Sequence, residues 1–447
     1  SKWAVYGYNS GSNITINGGN FKAPTVIQLD GVWSGTNTSK ATINGGNFIA
    51  DKVHDSMIYS GAHEAVTVND GYFNLGNLGT PEVQNGKPWI FNVLGANERD
   101  LLVNGGTFNA DINHQYWAFE VVVPETRALR NNGDGTWTMV DAAAWVNEPW
   151  KKNQPYKRAV GYATLEEAIA VDNKFENTVT LAKDVEVENM IAVKNGETLV
   201  LDLNGKTLAA IDNTTKNYSL IDNRGDLTIT GEGTMTVKAT VNSGWNRYSA
   251  VIANNPGGKL TVENGTIEHL GGTDMAYGID NLTNGKGTYA ETIINGGTVK
   301  STYRAVRQFL NGVEAQNILT VNAGTLEGAN KSIFFHDPSA KANNGKLYVA
   351  EDATLKGDVY LYVTAGSTEW PVEVSIADAA FEDGSTVITG NIPAQYIVEN
   401  ANGVWGKSNS VASVNGVGYA TFAEAKTAMT TNGGEDLALL AVVNNKV

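Results

Sequence analysis

The sequence predicts an all-β fold of the parallel β-helix class, in which the chain winds through short strands into stacked coils. One phrase recurs near its start, as ITINGGNF (14–21), ATINGGNF (41–48), VTVNDGYF (66–73) and LLVNGGTF (101–108). The turn asparagines of these copies are 27, 25 and 35 residues apart, and such periods are typical of repeat architectures. The intervals hold no helical pattern that would build βαβ units, which favours stacked β-coils.

Each copy of the phrase predicts a strand, a tight turn and a return to the core. In the first copy Ile14 and Ile16 alternate with Thr15, which is the period-two pattern of a half-buried strand. The glycine two residues after the turn asparagine, Gly19 in this copy, accepts the positive φ that other residues avoid. Phe21 then resumes the apolar face, and later copies carry Ile, Val or Leu at that position.

Equivalent turns of successive coils stack at the strand spacing of about 4.8 Å. The sequence therefore predicts a structural turn ladder of hydrogen-bonded side chains, with an apolar column inside the coils. The predicted ladder asparagines are Asn17, Asn44, Asn69, Asn104, Asn295 and Asn322, and Glu263 occupies the equivalent position in one further coil.

Two copies of a helix signal divide the chain into two β-helical modules with short capping helices and hairpin connections. VGYATLEEAI begins at Val160 and VGYATFAEAK at Val417, and both place Thr and Glu at the spacing of a capping box. A helix covers the exposed strand edges at the end of an open β-helix, so we expect capping helices near 164–171 and 421–430. The predicted organisation is a first module at 1–125 that lacks its beginning, a hairpin and linker at 126–157, a second module at 158–405 and the start of a third at 406–447.

Composition narrows the function classes. Cysteine is absent, which excludes disulfides and thiolate chemistry. The formal net charge of −15 opposes binding to nucleic acids and to anionic membranes. No apolar run approaches the roughly 18 residues of a membrane span. No motif indicates a cofactor or a metal, since the DNRGD segment beginning at Asp222 lacks the spacing of an EF-hand.

The combination of YATLEEAI, LDLNGKTL and INGG-type coils resembles the repeat modules of secreted right-handed parallel β-helix proteins. These are adhesin-like or pectin-lyase-like surface proteins of gut bacteria. The resemblance implies a right-handed solenoid and a secreted or cell-surface bacterial protein. It does not decide between an adhesin and an enzyme, because the same solenoid hosts both.

Two tryptophans are the candidate carbohydrate-binding residues. Trp33 lies in DGVWSGTN and Trp245 in NSGWNRYS, and small polar residues surround both. An exposed indole stacks on a sugar ring, and Asn246, Arg247 and Tyr248 would supply polar contacts. The alternative is that each indole packs over a coil edge, because large aromatic side chains are usually buried.

An enzyme on this scaffold is the rival hypothesis. His54, His63 and His336 each adjoin a carboxylate, and Arg304 and Arg307 share one stretch where they would hold an acidic sugar. Adjacent residues of a strand point to opposite faces, so we interpret all five as ordinary surface or turn residues and assign no catalytic residue. The prediction is a non-catalytic extracellular or cell-surface, adhesin-like protein that binds glycans or another surface protein. The alternative is a polysaccharide lyase or glycoside hydrolase.

The order of the modules also predicts a form of self-association. The sequence begins inside a module and ends soon after a fresh helix signal. Its last half-module would cap the open first coil of another copy, giving head-to-tail strings. The alternative is that the sequence is a segment of a longer chain.

Overall fold

The computed structural model is almost entirely β and folds as a parallel β-solenoid of about 10 turns, which confirms the predicted fold class. The chain has two compact units, Ser1–Lys183 and Asp184–Val447. The right hand of the solenoid and the module boundaries stay predictions. The structure describes residues 2–8, 11–30, 39–50, 56–61, 65–76, 89–93, 101–112, 123–149, 157–175, 178–211, 218–238, 249–271, 275–337, 344–363, 372–382, 384–390, 397–399, 402–407, 410–414, 417–419, 421–431 and 437–439.

Three parallel sheets form the coils of the first unit, and each coil contributes one strand to each sheet. The first sheet comprises Trp3–Tyr8, Thr25–Asp30, Ser56–Ser60 and Trp89–Val93. The second comprises Asn13–Ile16, Lys40–Ile43, Ala65–Val68 and Leu101–Val103. The strands that follow the recurring turn are Asn20–Lys22, Asn47–Ile49, Tyr72–Asn74 and Thr107–Phe108. The repeated phrase is therefore the corner between the second and third sheets.

A ladder of side-chain hydrogen bonds joins the turns of successive coils. In the first unit the donors are Nδ2 atoms and the acceptors Oδ1 atoms, from Asn44 to Asn17 at 2.9 Å, Asn69 to Asn44 at 2.8 Å and Asn104 to Asn69 at 2.9 Å. In the second unit Asn295 donates to Glu263 Oε1 at 2.9 Å, and Asn322 donates to Asn295 Oδ1 at 2.8 Å. The six asparagines singled out by the sequence thus lie in two turn ladders, one in each unit.

The phenylalanine of each turn phrase packs inside the first unit. The rings of Phe21, Phe48, Phe73 and Phe108 form a stack, with neighbouring centroids 5.1, 4.9 and 5.1 Å apart. Gly46 has φ +128°, and a Cβ on it would lie 3.0 Å from the Phe48 ring. The turn therefore requires glycine both for its backbone conformation and for its contact with the ring beneath.

Antiparallel strands and a helix complete the first unit. The strands are Arg127–Asn131, Trp137–Asp141, Ala144–Pro149, Lys157–Tyr162 and Thr178–Leu181. Helix Leu165–Phe175 follows Thr164, whose Oγ1 accepts a bond from Glu167 N at 3.2 Å. Glu167 Oε2 in turn accepts from Thr164 N at 3.2 Å, which is the capping box expected from the sequence. Leu165 and Ala168 are buried, so the helix packs through its apolar face.

Three parallel sheets also form the second unit, and we name two of them by their outward side chains. The threonine sheet comprises Val185–Val187, Lys206–Ala210, Gly233–Val237, Thr266–His269, Thr298–Ser301, Gly324–Gly328 and Ala353–Lys356. The aromatic sheet comprises Ile191–Val193, Tyr218–Asn223, Ser249–Asn254, Ala276–Asn284, Arg304–Asn311, Lys331–Asp337, Val359–Val363 and Val387–Thr389. The third sheet comprises Thr198–Asp202, Asp226–Thr230, Lys259–Val262, Tyr289–Ile294, Gln316–Val321, Asn344–Val349 and Val372–Ala377.

A second asparagine ladder, which the sequence did not reveal, runs inside the second unit. Asn223, Asn254 and Asn281 are directly paired on adjacent strands of the aromatic sheet, and none has exposed surface. Asn223 donates to Asn254 Oδ1 at 2.7 Å, and Asn254 donates to Asn281 Oδ1 at 3.0 Å. Asn281 continues the ladder to Asn317 Oδ1 at 2.6 Å. Because buried amides need partners, this ladder fixes how successive coils align.

Short elements lie within and after the last parallel coil of the second unit. They are the 3₁₀ helix Asp378–Ala380, the antiparallel strands Ile397–Glu399 and Val404–Lys407, and a small sheet of Ala412–Val414, Val417–Tyr419 and Leu437–Leu439. Helix Phe422–Thr431 starts at a second capping box, in which Thr421 N donates to Glu424 Oε2 at 3.0 Å and Glu424 N donates to Thr421 Oγ1 at 3.2 Å. The two helix signals of the sequence therefore use the same local chemistry.

Candidate functional site

The carbohydrate-binding residues expected from the sequence lie outside the described residues, so their role stays a prediction. They are Trp33, Trp245, Asn246, Arg247 and Tyr248. The histidines His54, His63 and His114 also lie outside the described part of the chain. The candidate site is therefore built from His336, Arg304 and Arg307 and from the side chains that the fold gathers around them.

Strand pairing in the aromatic sheet sorts side chains into inward and outward columns. Val306, Ile333 and Val359 are directly paired and have no exposed surface, so they form an inward column. The next position of each strand points outward, because the side chains of a strand alternate between faces. The outward columns are Asp280, Arg307, Phe334 and Tyr360 in one row and Leu282, Phe309, His336 and Tyr362 in the other.

Five aromatic side chains on three adjacent strands form one continuous surface, which we call the aromatic plate. Its members are Phe309, Phe334, His336, Tyr360 and Tyr362. The ring of His336 lies 5.1, 5.2 and 5.1 Å from those of Phe309, Phe334 and Tyr362, and Phe334 stacks on Tyr360 at 5.7 Å. Phe334 is 8% exposed, whereas the other four are partly exposed. The plate thus presents ring surface to solvent across three coils.

Arg304 covers one corner of the plate. Its guanidinium carbon lies 3.7 Å from the ring centroid of Phe334 and 4.3 Å from that of Tyr303. A guanidinium over an aromatic face is held by the ring quadrupole while its N–H groups stay directed to the sides. Arg304 Nε also donates to Asn330 Oδ1 at 3.5 Å, so the guanidinium is held over the buried Phe334 ring at the edge of the plate.

Arg307 is mostly buried, which corrects its interpretation as an ordinary surface or turn residue. It is 8% exposed, and Asp280 beside it has no exposed surface. Arg307 Nε donates to Asp280 Oδ1 at 2.7 Å and Nη2 donates to Oδ2 at 2.5 Å. Its guanidinium carbon also lies 4.5 Å from the Tyr277 ring and 4.8 Å from the Phe309 ring. Sequence spacing missed this because Asp280 lies 27 residues earlier, on the strand of the preceding coil.

His336 is neutral at physiological pH. Burial, and then the charges of Arg307 and Arg304, lower its pKa to about 4. A general acid or base works best with a pKa near the operating pH, and the Asp280 carboxylate is already bound by Arg307. The arrangement favours recognition over proton transfer, because it offers ring faces and fixed donors to a ligand.

Among the described residues, the other two candidates from the sequence, His269 and the DNRGD segment, make hydrogen bonds within the fold. His269 is 1% exposed, burial lowers its pKa to about 4, and its Nδ1 accepts a bond from Gly271 N at 3.3 Å. In the DNRGD segment Asn223 belongs to the buried ladder, and Asp222 accepts a hydrogen bond from Asn255. Among the described residues, no group of three or more His, Asp or Glu side chains is placed to hold a metal ion.

In comparisons with known proteins, no protein-family model, curated protein or solved structure matches the chain. Within the described residues, no helix is long and apolar enough to cross a membrane. A solenoid fold alone does not determine activity, so the geometry of the site carries the evidence for function.

A signal for the aromatic plate was present in the sequence as an interval between coils, and spacing within a single strand does not show it. Asp280, Arg307 and Phe334 are 27 residues apart, the same interval that separates the ladder residues Asn295 and Asn322. Residues one coil apart become neighbours when coils stack. That interval groups the three side chains in the sequence, but only the strand register shows that they are directly paired.

Proposed function

We propose that the chain is a non-catalytic, adhesin-like protein of the bacterial cell surface or exterior, and that it binds glycans on the aromatic plate. The observation that carries the proposal is the set of five neighbouring rings on the outward face of three adjacent strands. Exposed aromatic rings offer an apolar face with a negative quadrupole, which suits the C–H faces of sugar rings. The resemblance of the repeats to secreted surface proteins supports the location.

The orientation of the plate supports a linear ligand. Its rows run across the strands, so successive rings repeat at the coil spacing of about 4.8 Å. A polymer lying along the solenoid would meet Phe309, His336 and Tyr362 in turn, with Arg304 beside the parallel row. Arg304 then supplies donors to hydroxyl or ring oxygens, while the rings supply stacking.

A glycan-array screen tests the proposal with matched variants. The change is the double substitution Tyr360→Ala and Tyr362→Ala, which removes two partly exposed rings of the plate. Loss of two stacking contacts of about 1 kcal/mol each should weaken binding at least tenfold. Tyr289→Ala is the control, because Tyr289 is 38% exposed on the third sheet, away from the plate. Circular dichroism of each variant checks that the fold is retained.

The same screen separates the proposal from its rivals. Binding that survives the double substitution, or no binding by the unmodified chain, contradicts glycan recognition by the plate. Cross-strand aromatic pairs also stabilise sheets, so a silent array would leave that structural role or a protein ligand. Incubation of the bound polysaccharides with the chain tests the alternative activity, since release of unsaturated or reducing-end products would indicate a lyase or hydrolase.

A further inference from the structure

The threonine sheet presents a regular polar face outside the candidate glycan site. Its first outward column is a row of six directly paired threonines, each partly exposed. They are Thr207, Thr234, Thr266, Thr298, Thr325 and Thr354. Because the six side chains are small and identical, none of them stands above its neighbours in this column. The face can therefore approach another flat surface closely.

The second outward column begins with Glu186, Ala209 and Thr236, and its last four positions alternate in charge. Directly paired neighbours run in the order Glu268, Lys300, Glu327 and Lys356. Lys300 Nζ lies 3.3 Å from Glu268 Oε1, and Lys356 Nζ lies 3.8 Å from Glu327 Oε2. The four side chains are 27, 35, 48 and 41% exposed in chain order, and they line an open groove of about 490 Å³. Such partly exposed pairs bind each other weakly, so their charges remain able to meet a facing surface.

An alternating column of four charges is complementary to its own reverse. When a second copy faces the first with its solenoid axis reversed, the order Glu-Lys-Glu-Lys meets Lys-Glu-Lys-Glu. A two-fold axis parallel to the strands, between Lys300 and Glu327, performs this reversal and keeps column opposite column. Glu268 then faces the partner's Lys356, and Lys300 faces the partner's Glu327. In the same arrangement Thr266 faces the partner's Thr354 and Thr298 faces the partner's Thr325, while Thr207 and Thr234 lie beyond the overlap.

The third sheet carries a comparable column that fails this test. Its directly paired outward residues are Asp226, Lys259, Glu291, Ile318, Lys346 and Glu373. Reversal places Asp226 opposite Glu373 and Lys259 opposite Lys346, so like charges meet. A third-sheet contact over all six strands therefore brings like charges together, whereas the four-strand contact of the threonine sheet brings only opposite charges together.

We propose that the threonine sheet is a docking surface for a second copy of this chain, in the antiparallel face-to-face arrangement just described. In this arrangement four strands of each copy overlap, and four strands of four residues measure about 19 by 13 Å at ordinary strand geometry. That area is below the roughly 800 Å² per partner of standard complexes, so the dimer is weak and concentration-dependent. Weak lateral contacts of this kind act where copies are crowded, as on a densely covered surface.

Sedimentation velocity of the full chain, from micromolar to millimolar concentration, tests the proposal. We expect a monomer–dimer equilibrium that weakens at least threefold when salt is raised, because the facing charges are screened. The double substitution Lys300→Glu and Lys356→Glu should abolish the dimer. Lys259→Glu with Lys346→Glu is the matched control, because it changes the net charge by the same amount on the third sheet. This control variant should keep most of the dimer affinity of the unmodified chain.

A charge-reversed variant tests the orientation. Glu268→Lys, Lys300→Glu, Glu327→Lys and Lys356→Glu together keep the alternation and the net charge, so this variant should dimerise with itself as the original chain does. A mixture of the two chains should form no mixed dimers, because like charges then meet throughout the antiparallel arrangement. A monomer at every concentration, equal loss in the third-sheet control, or mixed dimers as abundant as the pure ones each overturns the proposal. Growth beyond a dimer would instead indicate the head-to-tail strings expected from the module order.

Discussion

Replacing Arg307 with methionine removes one partner of a buried ion pair while keeping most of the side-chain volume. Asp280 has no exposed surface, and two hydrogen bonds of 2.7 and 2.5 Å join it to Arg307. Breaking such a pair costs about 3–5 kcal/mol, because the remaining charge stays buried without its counter-ion. We therefore expect the free energy of unfolding of the second unit to fall by about that amount.

Urea denaturation followed by far-ultraviolet circular dichroism measures this loss. Because the chain has two compact units, the curves are fitted to two transitions, and the change should appear in one of them. Lys331→Met is the matched control on the same sheet. Its ion pair with Asp358 spans 3.0 Å, but the side chains are 21% and 27% exposed, so the expected cost is about 1 kcal/mol or less.

The outcome that refutes the reasoning is equal destabilisation by the two methionine variants. It would mean that water reaches the Asp280 carboxylate and that burial does not amplify the charge interaction. A second check is the double variant Asp280→Leu with Arg307→Met, which removes both charges. It should be more stable than the Arg307→Met variant, because no uncompensated charge stays buried.

Three further predictions test the core and the turns. His269 has a pKa of about 4 when folded and about 6.5 when unfolded, so the unfolded chain binds more protons between these values. Its contribution of about 3 kcal/mol is present above pH 6.5 and is lost as the pH falls to 4. His269→Gln should reduce the slope of stability against pH by about half in urea titrations at several pH values, because His336 has the same lowered pKa and keeps its own share. An unchanged slope would contradict the prediction. Gly46→Ala should cost about 1–3 kcal/mol in thermal unfolding, because its φ is +128° and the new Cβ would meet a ring at 3.0 Å. Gly18→Ala should be nearly neutral, because a Cβ there meets nothing within 4 Å, and equal effects of the two would reject the steric account. Asn254→Ala should lower the free energy of unfolding by about 2–5 kcal/mol, because buried groups of the ladder lose their partners. Amide hydrogen exchange should become faster in the adjacent coils, and unchanged exchange would show that the ladder does not hold the coils together.

The local chemistry of the repeats was predictable from the sequence, because it depends on neighbours in the chain. The Asn-Gly turn, the alternation of Ile14 and Ile16 and the capping boxes at Thr164 and Thr421 each involve residues within four positions of one another. Stacking follows directly, since identical phrases at regular intervals place like side chains in register. The turn ladders and the Phe stack are consequences of that repetition.

The buried ladder was not predictable in the same way. Asn223, Asn254 and Asn281 occur in different local sequences, and asparagine in a turn-rich chain is ordinarily assigned to turns. Only the strand pairing shows that they share an inward position, where each amide is satisfied by the coils on either side. Their burial is a property of the stack and of no single coil.

The sequence by itself determined the repeat, the turn chemistry and the alternation of faces, because all three follow from residues close together in the chain. The tertiary structure decided which outward residues become neighbours, because loops of unequal length separate the strands of successive coils. It joined Asp280 to Arg307, gathered five rings around His336, and set Glu268, Lys300, Glu327 and Lys356 in one alternating row. Both candidate surfaces arise from side chains about one coil apart, where only the register of the stacked strands brings them into contact.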